Sequence, residues 1–132
     1  MNNLPLLLVP GLMCDHTVWD PLLPQLSPLY ACSVVDHGAA NSLSHMAVQM
    51  LQDAPPRFFM AGHSMGARVA LEVLRIAPER VAGTALLDTG YLPKLSGPAG
   101  EDEVHKRMAL LHIAQVQGVR AMAREWVQGM VH

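Results

Sequence analysis

The stretch that decides the fold is residues 58–66, which read Phe58-Phe59-Met60-Ala61-Gly62-His63-Ser64-Met65-Gly66. Its first half is a short apolar run, which is typical of a buried strand. The residues after Gly66 form a helical pattern that ends at Pro78. Its apolar positions recur at helical spacing and are Val69, Ala70, Val73, Leu74 and Ala77. Strand and helix meet in a G-x-S-x-G motif.

The spacing of this motif describes a very tight turn from strand to helix. Such a turn forces Ser64 into a strained backbone conformation, and it brings Gly62 and Gly66 too close to neighbouring atoms for side chains. The Ser64 hydroxyl is then exposed at the carboxyl edge of the sheet, beside the positive end of a helix. We therefore predict that Ser64 is a nucleophile. A glycine-rich turn with an ordinary surface serine is the alternative, because the motif also occurs by chance.

Strand and helix patterns alternate around the motif. Strands are predicted over residues 6–9, 30–35, 58–61 and 81–87. Helices are predicted from Thr17 through residue 26, with Pro21 and Pro24 distorting all but its start, and from Ser42 or Ser44 to the Pro55-Pro56 pair. The alternation indicates right-handed crossovers and an α/β fold: a three-layer sandwich with a parallel sheet of about four strands.

The last third of the sequence has a different pattern. Residues 91–100 hold two prolines and two glycines and are expected to form a connector. Two amphipathic helices, hinged at Gly118, are predicted after it. Their apolar positions are Val104, Met108, Leu111, Val119, Met122, Trp126 and Met130.

Composition excludes several classes of protein. The chain has 132 residues, a net charge of −2, 51% hydrophobic and 15% charged residues, so it is neither disordered nor longer than one domain. The slightly negative net charge argues against nucleic acid as a partner, because phosphate binding depends on clustered Lys and Arg. No apolar run approaches the roughly 18 residues of a membrane span. Such apolar content with so few charges suits a buried piece of something larger.

Cysteine usage and the amino terminus bear on location. Cys14 and Cys32 are too few for a disulfide framework and fit a reducing, cytoplasmic compartment. Residues 1–3 lack a basic side chain, and the apolar run after them ends early at Pro10-Gly11. We therefore expect a buried strand there and no signal peptide.

The order of these motifs resembles the amino-terminal half of an α/β-hydrolase-fold protein, over residues 4–92. The resemblance depends on the apolar strand before Pro10-Gly11-Leu12, on Trp19, on Asp36-His37-Gly38, on the serine turn and on the strand that ends at Asp88-Thr89. Many family members have His-Gly where this chain has Pro10-Gly11, which keeps the glycine of the turn.

The resemblance implies a function and a site. The backbone N–H groups of Leu12 and Met65 would form the oxyanion hole, with Ser64 as nucleophile. The activity would be hydrolysis of a small carboxylic ester or related acyl compound, with a small-molecule substrate and no cofactor. The fold alone does not choose among the esterases, thioesterases, lactonases, carbon–carbon hydrolases and lyases of this family.

Family enzymes also need a histidine base and a carboxylate, in the chain order serine, acid, histidine. The resemblance implies that residues 1–94 are a partial hydrolase core and that residues 95–132 are a connector and the start of a helical cap. Both triad partners would then be missing. Two interpretations stay open: a serine hydrolase that is incomplete as given, or a catalytically inactive truncated fragment or partner-dependent half domain.

None of the seven histidines is an obvious base. His63 adjoins Ser64, but neighbours on so sharp a turn point apart, so we expect it to pack beside the elbow. His16 either contacts substrate or is a solvated loop residue. The remaining histidines are expected in a turn, on helix surfaces or at the terminus, and are His37, His45, His105, His112 and His132.

Asp88 is the candidate acid, because a minority of the family places its acid after this strand, and a structural cap of the turn is the alternative. Asp15 and Asp36 are expected to bond to their own backbone turns. Cys14 is expected to be a semi-buried thiol rather than a nucleophile. No metal site is expected, because His105 and His112 are seven residues apart without a third ligand. The sequence holds no nucleotide-binding glycine motif.

By resemblance the strand order is second, first, third, fourth, which puts residues 81–87 at an edge. This strand carries no Lys or Pro that would hinder pairing with another chain. We therefore expect self-association through the exposed sheet edge.

Overall fold

The computed structural model describes residues 4–128 and Met130. The chain divides into two compact units between Tyr91 and Leu92. In the first unit the strands are β1 (Leu6–Val9), β2 (Cys32–Val34), β3 (Phe58–His63) and β4 (Val81–Leu87), and the helices are α1 (Leu23–Leu26), α2 (Leu43–Asp53) and α3 (Met65–Ile76). Short 3₁₀ turns cover His16–Val18 and Pro78–Arg80. The second unit holds α4 (Pro98–Gln117) and α5 (Val119–Val127).

The four strands form one sheet in the order β2-β1-β3-β4, and all three pairings are parallel. Leu8 lies opposite Val34 on one side and Ala61 on the other. The register brings the carboxyl ends of β1 and β3 to the same edge, which positions the loop after Val9 beside the turn after His63. The predicted α/β class, parallel sheet and strand order are confirmed.

Strand β1 is buried on both faces, as its continuous apolar run predicts. Leu7 and Val9 pack on the face covered by α2 and α3, against residues such as Met60 and Val73. Leu6 and Leu8 pack on the opposite face, with Trp19 and partly buried side chains of α1. The sheet is therefore the middle layer of three.

The predicted helix from Thr17 through residue 26 is wrong in extent. A 3₁₀ turn and a single helical turn, α1, occupy this stretch. The cap is Asp15, whose Oδ1 accepts from the Thr17 N–H at 2.9 Å. Pro21 breaks the pattern because a proline lacks the N–H that a helix interior needs, whereas Pro24 lies in the first turn of α1, where that N–H has no partner to lose.

Other boundaries shift less. Ser42 is the N-cap of α2, with its side chain accepting from the His45 N–H at 3.2 Å, which decides between Ser42 and Ser44. Strand β2 is shorter than predicted, and β3 extends two residues further, to His63. Helix α4 begins at Pro98, inside the predicted connector.

In the second unit, Gly118 separates α4 from α5 with a φ of 90°, as the predicted hinge requires. The prediction that α4 is amphipathic is wrong: its only buried described residue is Gly100, and Val104, Met108 and Leu111 are 42–55% exposed. On α5, Met122 is buried.

Within the described residues, no helix is both long enough and apolar enough to cross a bilayer.

Candidate active site

The turn between β3 and α3 has the geometry of a nucleophile elbow. Ser64 lies between the last residue of β3 and the first of α3, with φ 54° and ψ −117°. A positive φ is unfavourable for a residue with a Cβ and costs on the order of 1–3 kcal/mol. The Ser64 side chain makes no capping bond to α3 and is half-buried. Its hydroxyl is thus held at the edge of the sheet by a strained backbone.

The two glycines of the motif have no room for side chains. A Cβ on Gly62 would lie 2.6 Å from the Cα of Ala67. A Cβ on Gly66 would collide with the carbonyl oxygen of Val9 and lie 2.5 Å from that of Pro10. The start of α3 therefore packs directly on β3 and on the end of β1, which only glycine at both positions allows.

Hydrogen bonds from β4, from α3 and from the Thr89 side chain hold the backbone of Ser64. Its N–H donates to the Leu87 carbonyl at 2.9 Å, and its own carbonyl accepts from Ala67 N–H at 3.1 Å. The Thr89 Oγ1 donates to the same carbonyl at 3.0 Å. The hydrogen bond of Thr89 was not predicted, and the one signal for it in the sequence is a hydroxyl residue two positions after the end of β4.

The loop after β1 and the start of α3 border one cavity of about 440 Å³. Leu12 and Met65, the predicted oxyanion donors, both line it. Asp15 and Asp36 lie at its wall, and their carboxylates accept from their own turns, at the Thr17 and Gly38 N–H groups, as predicted. The hydrogen bonds from Thr17 lower the pKa of the Asp15 carboxyl.

The amino-acid sequence of this chain is similar to parts of known proteins. No protein-family model matches the chain. It is 37% identical over 84 residues to the pimeloyl-[acyl-carrier protein] methyl ester esterase of Klebsiella pneumoniae (strain 342), over 58% of this chain and 33% of that one. It is 33% identical over 99 residues to the protein of the same name from Photobacterium profundum, over 69% of this chain and 38% of that one.

Solved structures share the fold. A thermophilic esterase from Thermogutta terrifontis superposes with a TM-score of 0.72 at 24% identity, over 96% of this chain and 50% of that one. Naproxen esterase from Bacillus subtilis superposes with a TM-score of 0.61 at 21% identity, over 83% of this chain and 42% of that one. The chain belongs to the α/β-hydrolase-fold family. The matched region covers about a third of the length of the curated relatives.

An α/β-hydrolase needs a base near its serine, and the structure describes six of the seven histidines, since His132 lies outside the described residues. His16 is exposed, with Nδ1 3.4 Å from Asp20 Oδ1. His37 bonds to the Pro10 carbonyl at 3.1 Å. His45, His105 and His112 are exposed on helices.

His63 is the last residue of β3, and Asp88 directly follows β4. The His63 Nε2 is 3.9 Å from Asp88 Oδ2, and the His63 Nδ1 is buried without a partner among the described residues. The Asp88 side chain is 92% exposed, and its backbone has a φ of 47°. The candidate acid Asp88 thus lies within ion-pair distance of His63, and its side chain is open to solvent.

Two further expectations concern metals and thiols. No group of three His, Cys, Asp or Glu side chains that could hold a metal ion occurs in the part of the chain that the structure describes. Cys14 and Cys32 are free, and both are half-buried. Cys14 lines the cavity, as a semi-buried thiol.

Proposed function

We propose that this chain carries the nucleophile and the oxyanion hole of a serine esterase. The observation that carries the proposal is the backbone conformation of Ser64, at φ 54° and ψ −117° between β3 and α3. Gly62 and Gly66 on either side of it have no room for a Cβ. A turn with this backbone strain is explained if it presents the Ser64 hydroxyl to a substrate.

The chemistry follows from these groups. The Ser64 oxygen attacks the ester carbonyl carbon while a base takes the hydroxyl proton, which leaves a negative charge on the carbonyl oxygen. The amides of Leu12 and Met65, at the wall of one cavity, would donate to that oxygen. Collapse of the tetrahedral intermediate releases the alcohol with the proton and leaves an acyl-serine, which water then hydrolyses to the acid.

We propose that the base comes from outside residues 4–128, and that its orienting carboxylate comes either from there or from Asp88. Support comes from His37, whose Nε2 bonds to the Pro10 carbonyl, and from His45, which is exposed on α2. On its own this chain would then be the inactive, partner-dependent half of an esterase. Asp88 stays a candidate for the acid.

The substrate we propose is an ester with an apolar acyl part, and its best-supported form is a methyl ester on an acyl chain borne by a carrier protein. The names of the curated relatives support this class. The cavity supports an apolar acyl part, because side chains such as Leu12, Val34, Met46 and Met65 line it. A cytoplasmic location stays a prediction.

The first test supplies the missing base chemically. The chain is incubated with p-nitrophenyl acetate, with and without imidazole, and acetylation is mapped by mass spectrometry. We expect no Ser64-dependent hydrolysis without imidazole. With imidazole as the base, we expect an acetyl group on Ser64 in samples that are quenched with acid before deacylation. Ser64→Ala should abolish the adduct, whereas Ser96→Ala, at an exposed serine, should not.

The outcomes separate the two parts of the proposal. Acetylation that is spread over several residues and survives Ser64→Ala overturns the nucleophile. A Ser64-dependent turnover without imidazole overturns the external base and makes His16 and His63 the first residues to replace.

The second test addresses the substrate. Residues 1–94 joined to the carboxyl-terminal part of the Klebsiella pneumoniae relative should release methanol from a carrier-bound methyl ester in a Ser64-dependent reaction. A cooperatively folded chimera that hydrolyses p-nitrophenyl acetate but leaves the methyl ester intact would contradict the proposed substrate and would still support the proposed esterase activity.

A further inference from the structure

His37 makes a contact that its position in a turn after β2 does not require. Its Nε2 lies 3.1 Å from the carbonyl oxygen of Pro10, which is 27 residues earlier in the chain. A carbonyl oxygen only accepts, so Nε2 carries the hydrogen and donates. The ring is half-buried, and its Nδ1 is buried without a partner among the described residues. The bond ties the exit of β2 to the loop after β1.

The Pro10 carbonyl is restrained from two directions. Pro10 itself is fully buried, and its ring removes one backbone rotation. On one side the carbonyl accepts from His37, and on the other it faces the start of α3 at Gly66, where an added Cβ would lie 2.5 Å away. The peptide that follows, at Gly11, lies against Ser64, since a Cβ built there would be 3.2 Å from the Ser64 Cβ.

Beyond Gly11 the loop is held much less. Leu12 and Met13 are 44% and 46% exposed, and Met13 adopts a positive φ of 60°. The backbone bond across this turn runs from the Cys14 N–H to the Gly11 carbonyl at 3.2 Å. An amide that stabilises an oxyanion must be oriented before the reaction, because reorienting it during the reaction costs the energy it would supply. The orientation of Leu12 therefore depends on the Pro10 end of the loop.

We propose that His37 is a positioning residue for the oxyanion loop: its Nε2–H holds the Pro10 carbonyl and thereby orients the Leu12 amide toward the site of Ser64. The inference rests on the proposed function for the role of Leu12. The alternative of a base is disfavoured, because Nε2 already donates to Pro10 and Nδ1, the nitrogen that would accept a proton, is buried.

The test compares His37→Leu, which removes the donor, with His37→Gln, whose amide nitrogen can replace Nε2. His45→Leu is the matched control, because His45 is an exposed histidine on α2. Hydrogen exchange of the peptide covering residues 11–15 is measured by mass spectrometry on all four proteins. We expect about fivefold faster exchange in His37→Leu, the effect of losing one hydrogen bond, and near wild-type exchange in the other two variants.

The second readout is imidazole-dependent acetylation of Ser64. We expect roughly a tenfold slower reaction in His37→Leu, and recovery in His37→Gln, since small misplacements of catalytic groups have effects of this order. Exchange in α3 and the melting temperature separate a local effect from general destabilisation, which would move both.

Each outcome decides something. Unchanged exchange in residues 11–15, or a His37→Gln variant that behaves like His37→Leu, overturns the anchoring. Faster loop exchange with unchanged acetylation overturns the positioning role. An absence of Ser64 acetylation in the wild-type chain, with the loop exchange responding as expected, overturns the proposed function and leaves the anchoring in place.

Discussion

The two units of the chain are built differently. In the first, β1 is buried on both faces, and residues such as Phe58, Val69 and Val73 are completely enclosed. In the second, Gly100 and Met122 are the only buried described residues, and apolar side chains such as Val116 are more than half exposed. A sheet buries apolar area through contacts distant in sequence, whereas a helix forms its backbone bonds locally.

The polar contacts differ in the same way. In the first unit Arg80 reaches carbonyls more than 20 residues away. On α4 the ion pairs Asp102–Lys106 and Glu103–Arg107 are between residues four apart, with all four side chains at least 44% exposed. Stability should therefore depend strongly on side chains of the first unit and weakly on those of the second.

Truncating the core gives the largest expected effect. Phe58→Ala should lower the free energy of unfolding by about 3–5 kcal/mol, because it leaves a cavity in a fully buried site. Met108→Ala, at a residue 55% exposed on α4, should change it by less than about 0.5 kcal/mol. Urea unfolding of both variants makes the comparison. Equal losses would show that the second unit has a core of its own.

Arg80 should come next. Its Nη1 donates to the Leu51 carbonyl at 2.9 Å and its Nη2 to the Ala54 carbonyl at 2.7 Å, at the end of α2, and its guanidinium lies 5.7 Å from the centre of the Phe58 ring. Arg80→Lys should cost about 2–3 kcal/mol, because one ammonium cannot replace a planar fork of donors.

The control is Arg107→Lys on α4, where the exposed pair with Glu103 should lose almost nothing. Thermal unfolding of both variants is the measurement. If Arg80→Lys unfolds like wild type, the fork geometry does not matter.

Self-association tests the exposed surfaces of the two units. Strand β4 is last in the sheet order, and Leu86 and Leu87 are each 41% exposed. We expect concentration-dependent oligomers in size-exclusion chromatography, reduced by Leu86→Lys because charge on an edge strand opposes pairing. Met108→Lys is the matched change on α4. A reduction by Met108→Lys alone would move the association to the helices, and a wild-type monomer would contradict the prediction.

The smallest effect concerns pH. Hydrogen bonds from Arg75 and Ser44 lower the pKa of Glu72 from 4.5 to about 2. Because the folded pKa is the lower one, this contribution is present above pH 4.5 and is lost as pH falls toward 2. The difference in urea midpoint between wild type and Glu72→Gln should therefore shrink over that window. A constant difference would mean that charge plays no part.

The sequence predicted most of the architecture because its signals are local. An apolar run ended by Pro10-Gly11 and the spacing of Gly62, Ser64 and Gly66 identify a parallel α/β sheet and its serine turn. The prediction of a helix after Thr17 was wrong because the prolines in this stretch oppose a helix. The apolar side chains that formed the helical pattern pack around Trp19 from turns instead. Helix α4 has the expected extent after its start, but its predicted apolar face is exposed.

By itself the sequence determined the class of fold, the strand order through its family resemblance, and Ser64 as the candidate nucleophile. Only the tertiary structure decided the contacts around that serine: Thr89 on its carbonyl, His37 on Pro10, and the His63–Asp88 approach at 3.9 Å. Each of these joins residues 25 or 27 positions apart. Periodicity and turn chemistry report on neighbours in the chain, whereas the ends of parallel strands meet only after the crossovers have formed.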